Sequence, residues 1–160
     1  MARSHTAEKI HLVAAKAKDI NLLLPFVRAF YDHFGYPFDE KEKIAVLRQI
    51  IRDRSVGRLW LIRHKGKNIG YVLLAFSFSL EFNGRIAFID ELFVEPSGRQ
   101  KGVGATVLKQ VENICVRLGI RTVRLEIEAS NKRATALYAR SGYIEHDRHL
   151  MSKEIKRKEG

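Results

Sequence analysis

The stretch VEPSGRQKGVGATVLKQVE, Val94 to Glu112, changes character halfway. Its first half is a turn built of Pro, Gly and Arg. Its second half begins an apolar pattern at helical spacing, with Val107, Leu108, Val111, Ile114, Cys115 and Leu118 along one face and Gly119 as its stop. Arg99 is followed by Gly102 and Gly104, just where the helix should start. Glycine at such a joint lets backbone approach a ligand closely, and the first helical turn leaves N–H groups unpaired. A guanidinium adds a fork of donors suited to phosphate. Together these features describe a pyrophosphate clamp. The joint is not a P-loop, because no GxxxxGK[ST] occurs, nor the dinucleotide fingerprint GxGxxG, because Val107 stands at the third glycine position. An ordinary strand-to-helix loop can share this composition, so the surrounding chain decides.

Upstream, RLWLIRHK, NIGYVLLAFSFSL and RIAFIDELFVE read as three antiparallel strands with turns at Gly66 and at Asn83–Gly84. Asn-Gly between apolar runs is a strong hairpin signal. IHLVAAKA reads as a first strand, and Asp19 is suited to cap the helix after it. In that helix Leu22, Leu23, Phe26, Val27, Phe30, Tyr31 and Phe34 recur at helical spacing until GYPFD ends it. Asp39 and Glu42 then form a capping-box pattern ahead of a stripe of Ile44, Leu47 and Ile51.

Downstream come a strand, RTVRLEIEA, a helix from about Asn131 to Ser141 stopped by Gly142, and a terminal pair of strands around GYIEH and RHLMSKEI. Strand, helix, strand without a hairpin implies a crossover, so the strand near Leu125 should run parallel to the one near Leu92. The expected fold is α/β, a mixed, mostly antiparallel sheet with a central parallel strand pair, flanked by helices. A helix N-terminus beside the ends of two parallel strands is where such folds bind anionic ligands.

Composition bounds the function. A chain of 160 residues with 46% hydrophobic content is expected to form one domain, residues 1–155, followed by a basic, frayed tail at 156–160. No apolar run approaches the roughly 20 residues that span a bilayer, and the start lacks the apolar segment of a secretory signal. A cytoplasmic protein without a membrane partner is expected. One cysteine excludes an internal disulfide framework, and no Cys and His cluster has zinc spacing, so no metal is expected. The formal net charge of +11 favours polyanionic partners such as phosphorylated cofactors. Nucleic acid and acidic lipid surfaces are polyanions too, and charge alone does not choose among them. The basic residues are spread along the chain with the tail KEIKRKEG as the one dense block, and nucleic acid is not the expected partner.

A second constellation lies in EASNKRATALYARSGY, where Asn131, Ala134 and Tyr138 share one helix face. RQKGVG fits the pattern [QR]xxGx[GA]; with LFVEP before it and NxxAxxLYxxxGY after it, the sequence resembles the GNAT superfamily of acetyl-CoA-dependent N-acetyltransferases. The resemblance covers most of the chain. It implies that the strand through Leu92, Phe93 and Val94 splays from the strand through Leu125 and Ile127, with the pantetheine arm of acetyl-CoA in the gap. Backbone groups near Phe93 and Val94 would bind the arm and polarise the thioester. The pyrophosphate would sit on the amides of Gln100, Lys101, Gly102, Val103, Gly104 and Ala105, with the Arg99 or Lys101 side chain nearby. Asn131, Ala134 and Tyr138 would flank the cofactor, and Tyr138 would protonate the departing thiolate. Two positions depart from the commonest pattern: Gly98, where an aromatic is frequent, and Gln100, where glycine is frequent.

Attack on a thioester requires a neutral amine, while a lysine-like ammonium has a pKa of about 10.4, so a group must accept a proton. The carboxylates nearest the proposed gap are Asp90 and Glu91 on one strand, Glu126 and Glu128 on the other. Alternation separates Asp90 from Glu91, although a bulge would reverse the register. LEIEASN also resembles the matching segment of bacterial ribosomal-protein N-terminal acetyltransferases, in which the glutamate at the position of Glu126 is the base. Other superfamily members use an acidic residue of the preceding strand, here Glu91. Glu126 is preferred, with Glu91 as the alternative. Cys115 lies in the apolar helix stripe and reads as structural. His33, His64, His146 and His149 are scattered and support no triad.

By the same resemblance, substrate groups come from FYDHFGYPFDEKEK and the final hairpin. Tyr31, Tyr36 and Asp39, with Asp32 and Glu40, would form an acidic, aromatic lip for a cationic amine. The expected partner is an amine substrate, a small molecule or a protein N-terminus, and a homodimer is compatible with the sequence. The competing reading is a non-catalytic GNAT-like module that senses acetyl-CoA or binds nucleic acid. Tyr138 together with the nearby carboxylates argues for the enzyme.

Overall fold

The computed structural model describes residues 9–99 and 102–156. Among the described residues five strands form one sheet in the order of the chain: β1 (His11–Ala14), β2 (Gly57–His64), β3 (Lys67–Ser79), β4 (Gly84–Val94) and β5 (Val123–Leu125). The first four are antiparallel, and β5 joins β4 in parallel through Ala87–Val123, Phe88–Arg124 and Ile89–Leu125. The meander is built on left-handed turn residues, Lys65 and Gly66 at one hairpin, Asn83 with the positive-φ Gly84 at the next. The α/β class and the parallel crossover are as expected.

Four α-helices are described: α1 (Ile20–Phe34), α2 (Glu40–Arg52), α3 (Val103–Arg117) and α4 (Lys132–Arg140). They divide between the two faces of the sheet. Trp60, Ile62, Val72, Leu74, Ala87 and Ile89 pack with Val103, Val107, Leu108, Val111 and Cys115 of α3. Leu137 and Tyr138 of α4 add to this layer. On the opposite face, Leu59, Leu61, Tyr71, Leu73 and Phe93 pack with Ile20, Leu23 and Val27 of α1 and Leu47 of α2. Each fully buried side chain of this kind stabilises the fold by about 1.5–3 kcal/mol.

One irregularity in β4 sets the direction of its last residues. Leu73 pairs with Glu91 but Leu74 pairs with Ile89, leaving Asp90 as an extra residue. This bulge inverts the alternation. Before it Ala87 and Ile89 face α3; after it Leu92 and Val94 do, and Phe93 turns to the α1 side.

Two local expectations are corrected. Asp19 does not cap α1 with its side chain: its Oδ2 accepts from the Lys16 amide at 2.9 Å, closing a 3-10 turn over Ala17–Asp19. The terminal strand pair is not formed, and the parallel pair accordingly lies at the edge of the sheet among the described residues. The physical reason lies in β5, whose three residues give later chain only a short edge to pair with. Ile144, Leu150, Met151 and Ile155 stand exposed instead. The segment is tied back by Arg148, whose Nη1 donates to Glu81 Oε2 at 2.9 Å.

Candidate active site

Pairing between β4 and β5 stops at Ile89 and Leu125, yet β4 continues to Val94. A wedge therefore opens along the last residues of β4. The Phe93 carbonyl points at Gly70 of β3, so closely that a Cβ on Gly70 would lie 1.9 Å from it, and the Glu95 amide donates to Ile69 at 2.8 Å. By alternation, the backbone groups of Leu92 and Val94 point away from β3, into the wedge. This refines the expected backbone donors: Phe93 spends its groups on β3, and Leu92 and Val94 turn theirs to the wedge side, where the Val94 carbonyl is taken by the Arg99 side chain. Without the Asp90 bulge the alternation would have turned them the other way.

At the far end of the wedge, Gly102 stands at the N-cap of α3 with φ +90°, and nothing lies within 4 Å of where its Cβ would be. Both conformation and open space favour glycine there. Gly104 is empty for a different reason: a Cβ would meet Leu137 Cδ2 at 2.7 Å. That contact brings α4 against the first turn of α3, so the two motifs of the sequence meet at Val103, Gly104 and Ala105. Gly98 is explained similarly, since its Cβ would meet Ile69 at 2.8 Å and leaves no room for an aromatic. Arg99 folds back, its Nε donating to the Val94 carbonyl at 2.7 Å and its guanidinium lying 5.8 Å from the Phe93 ring centroid. Gln100 and Lys101 lie outside the described residues.

On α4, the Asn131 side chain caps the helix by accepting from the Ala134 amide at 3.1 Å. Tyr138 packs edge-on against Tyr143, ring centroids 5.5 Å apart, and burial pushes its phenol up to about 12. The phenol therefore keeps its proton throughout the physiological range.

The carboxylates are held differently from one another. Glu91 is half-buried: Tyr31 donates to its Oε1 at 2.8 Å and Tyr71 to its Oε2 at 2.7 Å. Burial raises its carboxyl above the usual range, opposed by the two phenols; Asp90 raises it further and Lys43 lowers it. Both phenols are in turn raised, chiefly by burial and then by the Glu91 charge. Glu126 is exposed. Glu128, also exposed, accepts from Tyr36 Oη at 2.9 Å. Within the proposed lip, Tyr31 and Tyr36 meet edge-on at 5.9 Å. Asp39 is engaged as the N-cap of α2, accepting from the Glu42 amide at 2.9 Å, and Glu40 pairs with Arg28. A cavity of about 450 Å³ opens beside this lip, lined by His33, Phe34, Glu128, Ser130 and Asn131.

Tyr71 was not legible as a site residue. It reads as one more apolar member of NIGYVLLAF, and the available signal was a phenolic hydroxyl in the apolar stretch of the strand. Buried tyrosines normally find a hydrogen-bond partner, so that signal asked for one. Cys115 is buried, and its thiol is pushed up to about 11 by burial, then by Glu112, which removes it from nucleophilic use.

Residues 23–143 match the family described as Acetyltransferase (GNAT) family. Over 131 residues the chain is 26% identical to the uncharacterized N-acetyltransferase YhfO of Bacillus subtilis, covering 82% of this chain and 87% of that protein. A shorter match, 34% over 74 residues, relates it to thialysine N-epsilon-acetyltransferase of Bos taurus, covering 46% of this chain and 43% of the relative. Among solved structures, a predicted acetyltransferase of Clostridium acetobutylicum with acetyl-CoA superposes with a TM-score of 0.75 at 19% identity. It covers 91% of this chain and 96% of that one.

Proposed function

The chain belongs to the GNAT acetyltransferase family, which uses acetyl-CoA as acetyl donor, and from that premise we propose that it acetylates a primary amine by direct attack in a ternary complex. The observation that carries this reading is the wedge, where the backbone groups of Leu92 and the amide of Val94 point away from β3 and toward the side that β5 has left. An extended pantetheine arm can complete such an edge as a strand would. The pyrophosphate then reaches the first turn of α3, where Gly102, Val103, Gly104 and Ala105 offer N–H groups.

Glu91, held at both oxygens and desolvated, is the better proton acceptor than the solvent-facing Glu126. It takes a proton from the ammonium directly or through water. The neutral nitrogen bonds to the thioester carbon, its second proton passes to solvent water, and the C–S bond breaks to give the amide and the CoA thiolate. Tyr138 hydrogen-bonds the departing sulfur. With a phenol near 12 against a thiol near 8.5, stabilisation of the thiolate by that bond precedes completed transfer. Asn131 and Ala134 flank the cofactor from α4, and Tyr31 and Tyr36 line the acceptor's approach.

The acceptor class is tested by mass spectrometry of acetyl-CoA reactions with a panel of small amines, amino acid derivatives including thialysine, polyamines and peptides with free N-termini. Acetylated product is expected from at least one class. Absence of product from all of them, with the protein folded, would overturn the proposal.

A further inference from the structure

The cavity beside the lip has a chemical character of its own. Its volume, about 450 Å³, falls in the range of small-molecule sites. Its walls combine the Glu128 carboxylate with Phe34, and Phe34 stacks on Tyr36 at 5.4 Å. Tyr36 holds Glu128 and touches Tyr31, and Tyr31 holds Glu91. An unbroken aromatic path thus joins a carboxylate in the cavity to the carboxylate at the wedge. These rings already attract cations within the protein, since the Lys43 ammonium sits 4.3 Å from the Tyr31 ring centroid. The Tyr36 phenol is raised by the Glu128 hydrogen bond first, then by desolvation, and then by the charges of Glu128 and Glu126. His33 shares the wall.

We infer that the cavity selects acceptors carrying two cationic groups: the distal ammonium pairs with Glu128 against the Phe34 and Tyr36 rings, while the reacting amine lies at Glu91. The inference rests on the acetyltransferase reading and deepens it to a substrate class, diamines and their longer relatives. Glu128 is a specificity determinant under this assignment and takes no part in bond making.

The test compares linear diamines of increasing chain length with monoamines of equal length, at low ionic strength. The best diamine should exceed its matched monoamine in kcat/KM by about five- to tenfold, the scale of one partly solvated charge pair at a polar wall. Added salt should shrink that ratio. In Glu128→Gln the ratio should fall toward one, chiefly through KM for the diamine. Calorimetry with 1,4-diaminobutane on wild-type and Glu128→Gln protein supplies a readout independent of turnover. Equal kcat/KM for matched diamines and monoamines, or an unchanged ratio in Glu128→Gln, overturns the inference while leaving amine acetylation intact. Diamine binding that depends on Glu128 without acetylation of any amine supports the cavity assignment and overturns the catalytic reading instead.

Discussion

Replacing Tyr71 with Phe removes one hydroxyl from the sheet and leaves the ring in place. The residue is 0% exposed, and its hydroxyl donates to Glu91 Oε2 at 2.7 Å. A hydrogen bond to an ionised group contributes about 1.5–3 kcal/mol, and 1.36 kcal/mol corresponds to one pKa unit, so the Glu91 carboxyl should rise by about one to two units. The direction follows from which form the phenol favours: it donates to the carboxylate, and its loss disfavours ionisation. Tyr31→Phe should act in the same direction but less, because Tyr31 is closer to solvent. Titration of the Glu91 carboxyl carbon by NMR, assigned with Glu91→Gln, measures the shift directly. The acid limb of kcat/KM should move with it if Glu91 accepts the proton. An NMR pKa unmoved in a folded Tyr71→Phe protein would refute the clamp. A moved pKa with an unmoved acid limb would refute the role given to Glu91.

Glu91→Gln also has a consequence for stability. Because the folded-state carboxyl is raised above its ordinary value, the folded protein binds more protons than the unfolded chain between the two values, and stability falls as pH rises through that window. Relative to Glu91→Gln, wild-type should therefore lose stability from about pH 4 upward, as urea denaturation at several pH values will read; a flat difference contradicts the raised carboxyl. Tyr138→Phe should lower turnover by roughly 10²-fold with acetyl-CoA affinity nearly intact; wild-type turnover, with chemistry rate-limiting, would remove Tyr138 from the mechanism. Cys115→Ala should cost about 1 kcal/mol of stability and leave turnover unchanged, and loss of activity in a folded variant would contradict its structural role. Gly70→Ala should destabilise by more than about 3 kcal/mol, because its Cβ would fall 1.9 Å from the Phe93 carbonyl, and a near-normal melting temperature would refute that close approach.

The sequence by itself determined the elements and their order. Helical spacing located α1, α2 and α3, the Asn83–Gly84 pair located a hairpin, and the absence of a hairpin between β4 and β5 required them to run parallel. These are local signals, set by residue period and by backbone conformations that glycine and asparagine tolerate. The glycine motif and the α4 face were legible for the same reason, as were Tyr138 and the pool of carboxylates. Tertiary structure decided how those residues meet. A bulge at Asp90 is one residue counted against a partner strand, so the pattern of β4 alone could not state it, and it turned Leu92 and Val94 toward the wedge. The clamp on Glu91 joins residues from α1, β3 and β4, and the Tyr36–Glu128 bond joins two loops far apart in the chain. Gly104, read from the sequence as space for a ligand, proved to be filled by Leu137 of α4. Asp39 fits either a lip or a cap by composition; a single amide at 2.9 Å shows which contact it makes. The terminal hairpin failed for the converse reason. Apolar residues at Ile144, Leu150, Met151 and Ile155 advertise strands, but a strand exists only where another edge pairs with it.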